Sequence, residues 1–448
     1  MCPQSVPALN YAVLNDHDEH FPKLEDAPQP AGKTTVTATI VIIFLIVYLG
    51  MLLGGLPFLQ LDRAGVALLG AIALISLNAL SLEEAARAVH LPTLILLFAF
   101  MVVSAQMRLG GFYNWVTLRL AALQLPPPSL LGALVLVIAG LSAIFSNDII
   151  CLAVTPVLID ACRKRHLNPV PYLLGLACAS NIGSAATLIG NPQNILIGQT
   201  LRLSFAGYFI EAILPVLLGL VVCWGLIVWQ TRERWILSED LAVAQVAYEQ
   251  RVEQAPLDQW QTVKGLVVAA ALLVAFLFTS WPREHVALAG AGILLMSRKL
   301  HSRKMLGLVD WELLILFIGL FVVNHTLAQA GILPDVVADL AASGVYLDRP
   351  AWLFAAALVL SNVVSNVPAV MLLLPVAQHP VSGPLLALVS TLSGNLFVVG
   401  SIANIIVVDA AARKNIRISW LRHARTGVPV TLASLVITAV YFWLRVKA

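Results

Sequence analysis

The chain has 448 residues, 59% hydrophobic and only 11% charged, with a mean hydropathy of +0.88 and a formal net charge of +3. A soluble domain carries about 25% charged residues, so this composition excludes a globular protein bathed in water on all sides. Apolar runs of about 20 residues, the length that crosses a bilayer core, recur along the chain, and the membrane is its solvent.

Residues 1–33 are polar, acidic and Pro-containing and read as a disordered tail. They lack the basic start and immediate apolar core of a signal peptide, so the first span is expected to stay. Spans are expected at 35–55, 64–80, 92–109, 171–200, 209–229, 263–280, 284–298, 312–330, 384–409 and 427–445, with a polar loop at 230–262. Tyr48-Leu-Gly50-Met-Leu-Leu-Gly54 has the Gly-x-x-x-Gly spacing of a close helix contact. Residues 112–128, with Trp115 and Arg119 among apolar neighbours, read as an interfacial helix, and 333–349 as its mate.

Two apolar stretches, 129–162 and 351–377, are too long for one helix and are interrupted near the middle. The breaks are Phe145-Ser146-Asn147-Asp148 and Ser361-Asn362-Val-Val-Ser365-Asn366-Val-Pro368. Two half-helices with a polar tip make a re-entrant hairpin, which survives at membrane depth only where it lines a cavity or is covered by protein. With both stretches as hairpins, ten spans remain. Eight of the 27 Lys and Arg then fall on one side, and the rest on the other, among them Arg163-Lys164-Arg165, Arg298-Lys299, Arg303-Lys304 and Arg413-Lys414. The basic side is expected to be cytoplasmic, which puts both termini outside the inner membrane and the 230–262 loop inside.

The chain also repeats itself. Arg63 to Ala71 matches Arg283 to Ala291, and Leu94 to Val103 matches Leu314 to Val323, both shifted by 220; Gly111 lands on Gly331. Ser146-Asn147 with Pro156 matches Ser365-Asn366 with Pro375 at a shift of 219, and Leu188 to Ile195 matches Val398 to Ile405 at 210. Each copy holds five spans, an odd number, so the second is expected to be inverted across the membrane. The repeats are 34–229 and 263–445, and such inverted pairs with broken helices at the midplane build many secondary transporters.

The candidate site lies where these copies come undone. The run from Ser180 to Asn194, with Thr187, Gly190, Asn191, Pro192 and Asn194, is too polar and too rich in helix breakers for an intact span. Its counterpart runs through Gly394, Asn395, Gly400, Ser401 and Asn404. Both tips aim helix N-termini at the midplane, where Asn147 and Asn366 are expected to cap the half-helices and to offer an amide to a ligand. Asp148 is an intramembrane carboxylate, read as a proton carrier or cation ligand, with plain capping as the alternative. His325 reads as a proton relay or a packing residue, and Glu211, Glu312 and Asp409 as interfacial. The five cysteines fit no zinc or disulfide spacing; Cys151, Cys162 and Cys178 read as structural, with a thiol site for a soft metalloid as the alternative. No Lys or Arg lies in the hairpins' cores or the broken segments, so an anion there depends on amides, helix ends and co-bound cations.

At Ser146-Asn147-Asp148 with Pro156, Gly183-Ser-Ala-Ala-Thr-Leu-Ile-Gly190-Asn-Pro192-x-Asn194, Ser365-Asn366-Val-Pro368 and Gly394-Asn395…Gly400-Ser401-x-x-Asn404, the chain resembles the ion transporter superfamily. That group contains arsenite-efflux permeases, citrate and divalent-anion/sodium symporters and Na+/H+ antiporters. The tips resemble the arsenite-type members most; the dicarboxylate symporters favour Ser-Asn-Thr, where this chain has Asp148 and Val367. The resemblance implies an elevator-type homodimer, with spans one, two and their mates as scaffold. It also implies Na+ or H+ coupling, with Na+ at the hairpin tips, and no other cofactor. The expected fold is an all-α polytopic membrane protein with ten spans and two hairpins. The expected activity is secondary active transport of a small anion or metalloid oxyacid, with an Asp148-based Na+/H+ antiporter as the alternative. An intramembrane enzyme would need a nucleophile–base pair or a metal-binding run such as His-Glu-x-x-His, and neither occurs. No nucleic-acid partner is expected.

Overall fold

The computed structural model describes residues 31–56, 59–232, 234–236 and 257–447. Most of the expected N-terminal tail and the middle of the expected 230–262 loop lie outside the described residues. The first half contains α1 (Ala31–Leu53), α2 (Arg63–Ser76), α3 (Leu82–Ala88), α4 (Leu91–Leu109), α5 (Phe112–Ala121), α6 (Pro127–Ile144), α7 (Asn147–Lys164), α8 (Pro169–Ser184), α9 (Pro192–Thr200) and α10 (Phe205–Thr231). The second contains α11 (Gln259–Phe278), α12 (Arg283–Leu295), α13 (Ser302–Leu306), α14 (Trp311–Gln329), α15 (Ile332–Ala342), α16 (Pro350–Val363), α17 (Asn366–Leu373), α18 (Ser382–Ser393), α19 (Ile402–Arg413) and α20 (Trp420–Lys447). Two-residue strands, β1 (Gly55–Leu56) and β2 (Leu61–Asp62), pair antiparallel between α1 and α2.

Among the described residues, seven helices, α1, α4, α6, α10, α11, α14 and α20, are long and apolar enough to cross a membrane. The expected spans 64–80 and 284–298 are shorter than anticipated. α2 has 14 residues and α12 has 13, about 20 Å of helix against a core of about 30 Å. α2 stops early because Asn78 turns left-handed at φ +53°, and Ser81 then opens α3 with a capping box to Glu84. The interrupted stretches are each two helices meeting at a two-residue tip, Phe145-Ser146 between α6 and α7 and Val364-Ser365 between α16 and α17.

The order of elements recurs. α4 and α14 each end at a glycine pair position, Gly111 and Gly331, with φ of +76° and +75°. Each glycine is the N-cap of the short helix that follows, α5 or α15. A left-handed backbone there favours glycine on steric grounds, which accounts for its presence at both positions. Arg119 lies over the Trp115 ring at 5.6 Å on α5. In the Gly-x-x-x-Gly run, Gly50 does make a close contact: an added Cβ would meet Val66 Cγ1 of α2 at 2.6 Å, whereas Gly54 lies past the end of α1.

Packing sorts the helices into two groups. α2 lies on α14 and α12 on α4, with α1 and α11 against these pairs. In the other group, α8 and α18 are buried along their whole lengths, as helices apolar all round must be. α6, α7, α10, α16, α19 and α20 pack around them. Tyr48 of α1 ties the groups together, donating to Asn324 Oδ1 at 2.9 Å and to the Pro368 carbonyl at 3.4 Å. At one end, Lys414 Nζ pairs with Asp160 at 2.6 Å and Arg163 donates to the Lys414 carbonyl, which brings two of the basic clusters together. At the other end, Arg283 donates to the Leu203 carbonyl and Arg445 pairs with Glu211 at 3.0 Å.

A double network of buried amides

Each half has one helix that breaks deep in the protein. α8 stops at Ser184 and α9 starts at Pro192; α18 stops at Ser393 and α19 starts at Ile402, with a 3-10 turn at Val398–Gly400 between. The first break opens earlier than the expected unwinding at Gly190 and Pro192. Pro192 instead begins α9 at a position where its missing N–H costs nothing, and Asn191 caps it, accepting from the Asn194 N–H at 2.9 Å. Gly190 is where the chain passes the first tip: a Cβ there would lie 2.2 Å from the Ser184 carbonyl oxygen and 2.8 Å from that of Ser142. Gly190→Ala is therefore expected to destabilise the fold by about 1–3 kcal/mol through overpacking, read as a lower thermal midpoint of the purified protein.

Side-chain amides knit the breaks together. Asn181 Oδ1 accepts from Asn147 Nδ2 at 3.1 Å and from Ser401 Oγ at 2.9 Å. Its Nδ2 donates to Asn395 Oδ1 at 2.7 Å and to Asn404 Oδ1 at 3.1 Å. On the other side Thr391 Oγ1 accepts from Asn191 Nδ2 at 3.1 Å and from Gln193 Nε2 at 3.2 Å, and donates to Asn194 Oδ1 at 3.3 Å. Two of these bonds occur twice, Asn181 to Ser401 and Asn404 in one set and Thr391 to Asn191 and Asn194 in the other. At the 210-residue shift Thr391 stands for Asn181, Ser401 for Asn191 and Asn404 for Asn194. Even the return bond recurs, Asn194 Nδ2 to the Thr187 carbonyl at 3.0 Å and Asn404 Nδ2 to that of Phe397 at 3.2 Å.

Both tips sit on these breaks. Thr187 donates to the Ala143 carbonyl just before the first tip. A Cβ on Gly394 would lie 3.3 Å from Asn366 Nδ2, and one on Gly400 3.4 Å from Asn362 Oδ1. Neither Asn147 nor Asn366 caps its helix as expected. Each is the first helical residue, the preceding Ser146 and Ser365 make no side-chain cap, and the Asn147 amide is turned to Asn181 instead. Among the described residues, the buried Asn147 Oδ1, Asn366 Oδ1, Asn362 Oδ1 and the hydroxyls of Ser142 and Ser361 have no hydrogen-bond partner. Four of the five form two mate pairs at the 219-residue shift, Ser142 with Ser361 and Asn147 with Asn366. Leaving such atoms unpaired costs about 1–3 kcal/mol each. Ser365 also holds φ +79° and ψ 161°, a region that all but excludes side chains and costs about 1–3 kcal/mol.

Asp148 lies in the first turn of α7, half-buried, with no hydrogen-bond or ion-pair partner among the described residues. His325 is half-buried on α14. Glu211 accepts from Tyr441 at 2.8 Å and pairs with Arg445, Asp409 pairs with Arg413 one turn on, and Glu312 is exposed. Cys151, Cys162, Cys178 and Cys223 are buried free thiols, and the Cys151 thiol donates to Ser180 Oγ at 3.2 Å. No group of three His, Cys, Asp or Glu suited to a metal occurs among the described residues. Asn181 and Gln193 lie within the run from Ser180 to Asn194, and Ser361 and Asn362 within the run from Ser361 to Pro368, but none of them, nor Thr391 or Ser142, was expected as a ligand. Their signal was polarity inside apolar helices, together with the pairing of Asn181 with Thr391 and Ser142 with Ser361 across the repeat.

Membrane-length helices packed around a buried polar centre suit a membrane transporter. Residues 40–392 match the citrate transporter family, and the chain belongs to it. An uncharacterized transporter of Mycobacterium tuberculosis is 31% identical over 375 residues, 79% of this chain and 86% of that protein. The silicon efflux transporter LSI3 of Oryza sativa subsp. japonica is 28% identical, covering 86% of this chain and 92% of its own. Among solved structures, the YdaH transporter of Alcanivorax borkumensis aligns with 93% of this chain and 99% of its own, at a TM-score of 0.54 and 13% identity, a likeness of fold.

Proposed function

We propose that the protein is a secondary active transporter that moves a small anion or metalloid oxyacid across the inner membrane, coupled to H+ or Na+. Arsenite, a di- or tricarboxylate or a close chemical relative is the cargo class. The observation that carries this reading is the set of partnerless polar atoms at the two tips, repeated as mates beside the amide network. Three of them are amide oxygens, acceptors suited to the hydroxyls of an undissociated oxyacid or to a Na+ ion. No Lys or Arg takes part in the network, so a charged cargo enters with a cation. A family named for citrate and a relative named for silicon both suit a cargo with several oxygens.

In this reading the two interrupted stretches are re-entrant hairpins, and the halves are inverted repeats. The recurrence of one hydrogen-bond pattern in both breaks supports that arrangement. The separate packing of α1, α2, α4, α11, α12 and α14 supports their role as the scaffold of an elevator, extending the expected scaffold by α4 and α14. The apolar residues that α1 leaves exposed, such as Ile42 and Leu45, are available to lipid or to the second copy of a homodimer. The basic ends of α7 and α19 face the cytoplasm, and both termini lie outside.

Proteoliposomes test the proposal. Saturable uptake of arsenite, silicate, citrate or sulfate is expected when a pH or sodium gradient is imposed, and none when it is collapsed. Fluxes indifferent to both gradients would remove coupled transport. Sodium-for-proton exchange with no co-substrate would move the protein to the antiporters.

A further inference from the structure

On the face that carries the Asp160–Lys414 pair, a cavity of about 590 Å³ opens. It lies between the last turn of α10, the first turns of α8 and α20, and the segment that follows α10. Arg232, Arg234, Arg422 and Arg425 all line it. Among the described residues, none of the four pairs with a carboxylate. Their backbones, by contrast, are pinned. Asn168 Nδ2 donates to the Arg234 carbonyl at 3.2 Å, and Gln230 Nε2 to that of Arg425 at 2.7 Å. Thr426 Oγ1 in turn donates to Gln230 Oε1 at 2.6 Å.

The Arg234 guanidinium donates to an uncharged acceptor, the Gln230 carbonyl, at 3.3 Å. Arg422 stands in the first turn of α20, where the helix dipole is already positive and disfavours it. Arg234 and Arg422 repel each other as well. Four arginines lining one cavity make a cluster of positive charge that an anion sharing the cavity would offset, and planar guanidinium forks match phosphate oxygens. Arg232 also lies over the Trp229 ring at 5.8 Å, and that indole is 61% exposed at the end of a membrane-length helix. Trp at such a position marks the membrane–water boundary.

We propose that this cavity is a binding site for a phosphate group, distinct from the amide network. It meets α8 at Asn168–Leu174, about 15 Å along the helix from Asn181–Ser184. An anionic phospholipid headgroup and a soluble phosphate compound present the same chemistry, and two arms separate them. In the first, the full chain in nanodiscs of phosphatidylcholine with phosphatidylglycerol is released by detergent, and the retained lipid is weighed by native mass spectrometry. In the second, the protein in neutral detergent is titrated with radiolabelled inorganic phosphate. Retention enriched in phosphatidylglycerol, or saturable phosphate binding, is expected. Either falls roughly tenfold or more in the Arg234→Gln, Arg422→Gln, Arg425→Gln triple variant and is restored only in part by Lys at the same positions, which returns the charge without the fork. Neutral lipid only with no phosphate binding would overturn the site, and so would undiminished binding in the Gln variant. Should that variant fail to fold, the exposed single change Arg425→Gln decides, with a several-fold loss expected and no change overturning the proposal. The readout is binding, so it stands apart from whether the protein transports an oxyacid.

Discussion

Replacing Asn181 with Leu is expected to abolish transport while leaving the protein in the membrane. Asn181 stands on the first broken helix, and its side chain bonds both the first tip and the second break. Leu is close in volume but carries no polar atom. It would strand Asn147 Nδ2, Ser401 Oγ, Asn395 Oδ1 and Asn404 Oδ1 in a buried setting. At about 1–3 kcal/mol for each lost bond, the defect is several kcal/mol. The tip and the break would then lose their common register, and with it the geometry of any pocket they share. An initial rate of counterflow lowered by roughly 100-fold or more is expected at matched reconstitution, with a depressed thermal midpoint. A rate near that of the parent protein would show that the network is packing and not site. Thr391→Val, at the mate position, should weaken transport less, because Asn191 keeps its bond to Ser184 Oγ at 3.1 Å and Asn194 its bond to Tyr208 at 3.1 Å.

The breaks and tips were legible because they are written in residues whose backbone chemistry is unusual. Gly190, Pro192, Gly400 and the Ser-Asn pairs interrupt apolar runs, and a run of apolar residues makes any interruption plain. Gly111 and Gly331 were legible as a pair for the same reason, since both occupy a left-handed turn that excludes most side chains. Asn181 lies inside the run that polarity marks, and Thr391 is a polar residue in an apolar helix, but both sit in regular helical turns before the breaks, so nothing local marks their role. Only the fold shows that α8 and α18 are buried on every side, so that a single polar side chain in either must find a partner in the other half. The lengths of α2 and α12 were misjudged for a different reason. Hydropathy counts apolar residues whether or not they are helical, and Leu77, Ala79 and Leu80 continue the apolar run past a left-handed Asn78 that has already ended the helix. The direction of the Asn147 amide was equally out of reach. Helix-capping preference favours its own N-terminus, and the stronger claim of Asn181, an amide partner in a buried setting, exists only in the folded chain.

Asp148→Asn is expected to uncouple transport from the ion gradient without unfolding the protein. The two carboxylates of α7 sit in opposite circumstances. Asp160, near the C-terminal end, is held by Lys414 at 2.6 Å. Asp148, at the N-terminal end, has no ion-pair or hydrogen-bond partner among the described residues, and its mate in the other half is the apolar Val367. The helix dipole favours a negative charge at that first turn, but a carboxylate with only a dipole to offset it is poised to take up a proton or a metal cation and give it back. Asn keeps the shape and the helix position and removes the charge. Uptake driven by a pH or sodium gradient should then fall to the level of empty liposomes, while substrate-for-substrate counterflow persists and the elution profile on size exclusion is unchanged. Asp148→Glu, which restores the charge one methylene further out, should recover part of the driven uptake. If gradient-driven uptake survives intact in the Asn variant, the coupling ion is carried elsewhere, and the partnerless amide oxygens of Asn147 and Asn366 become the first place to look.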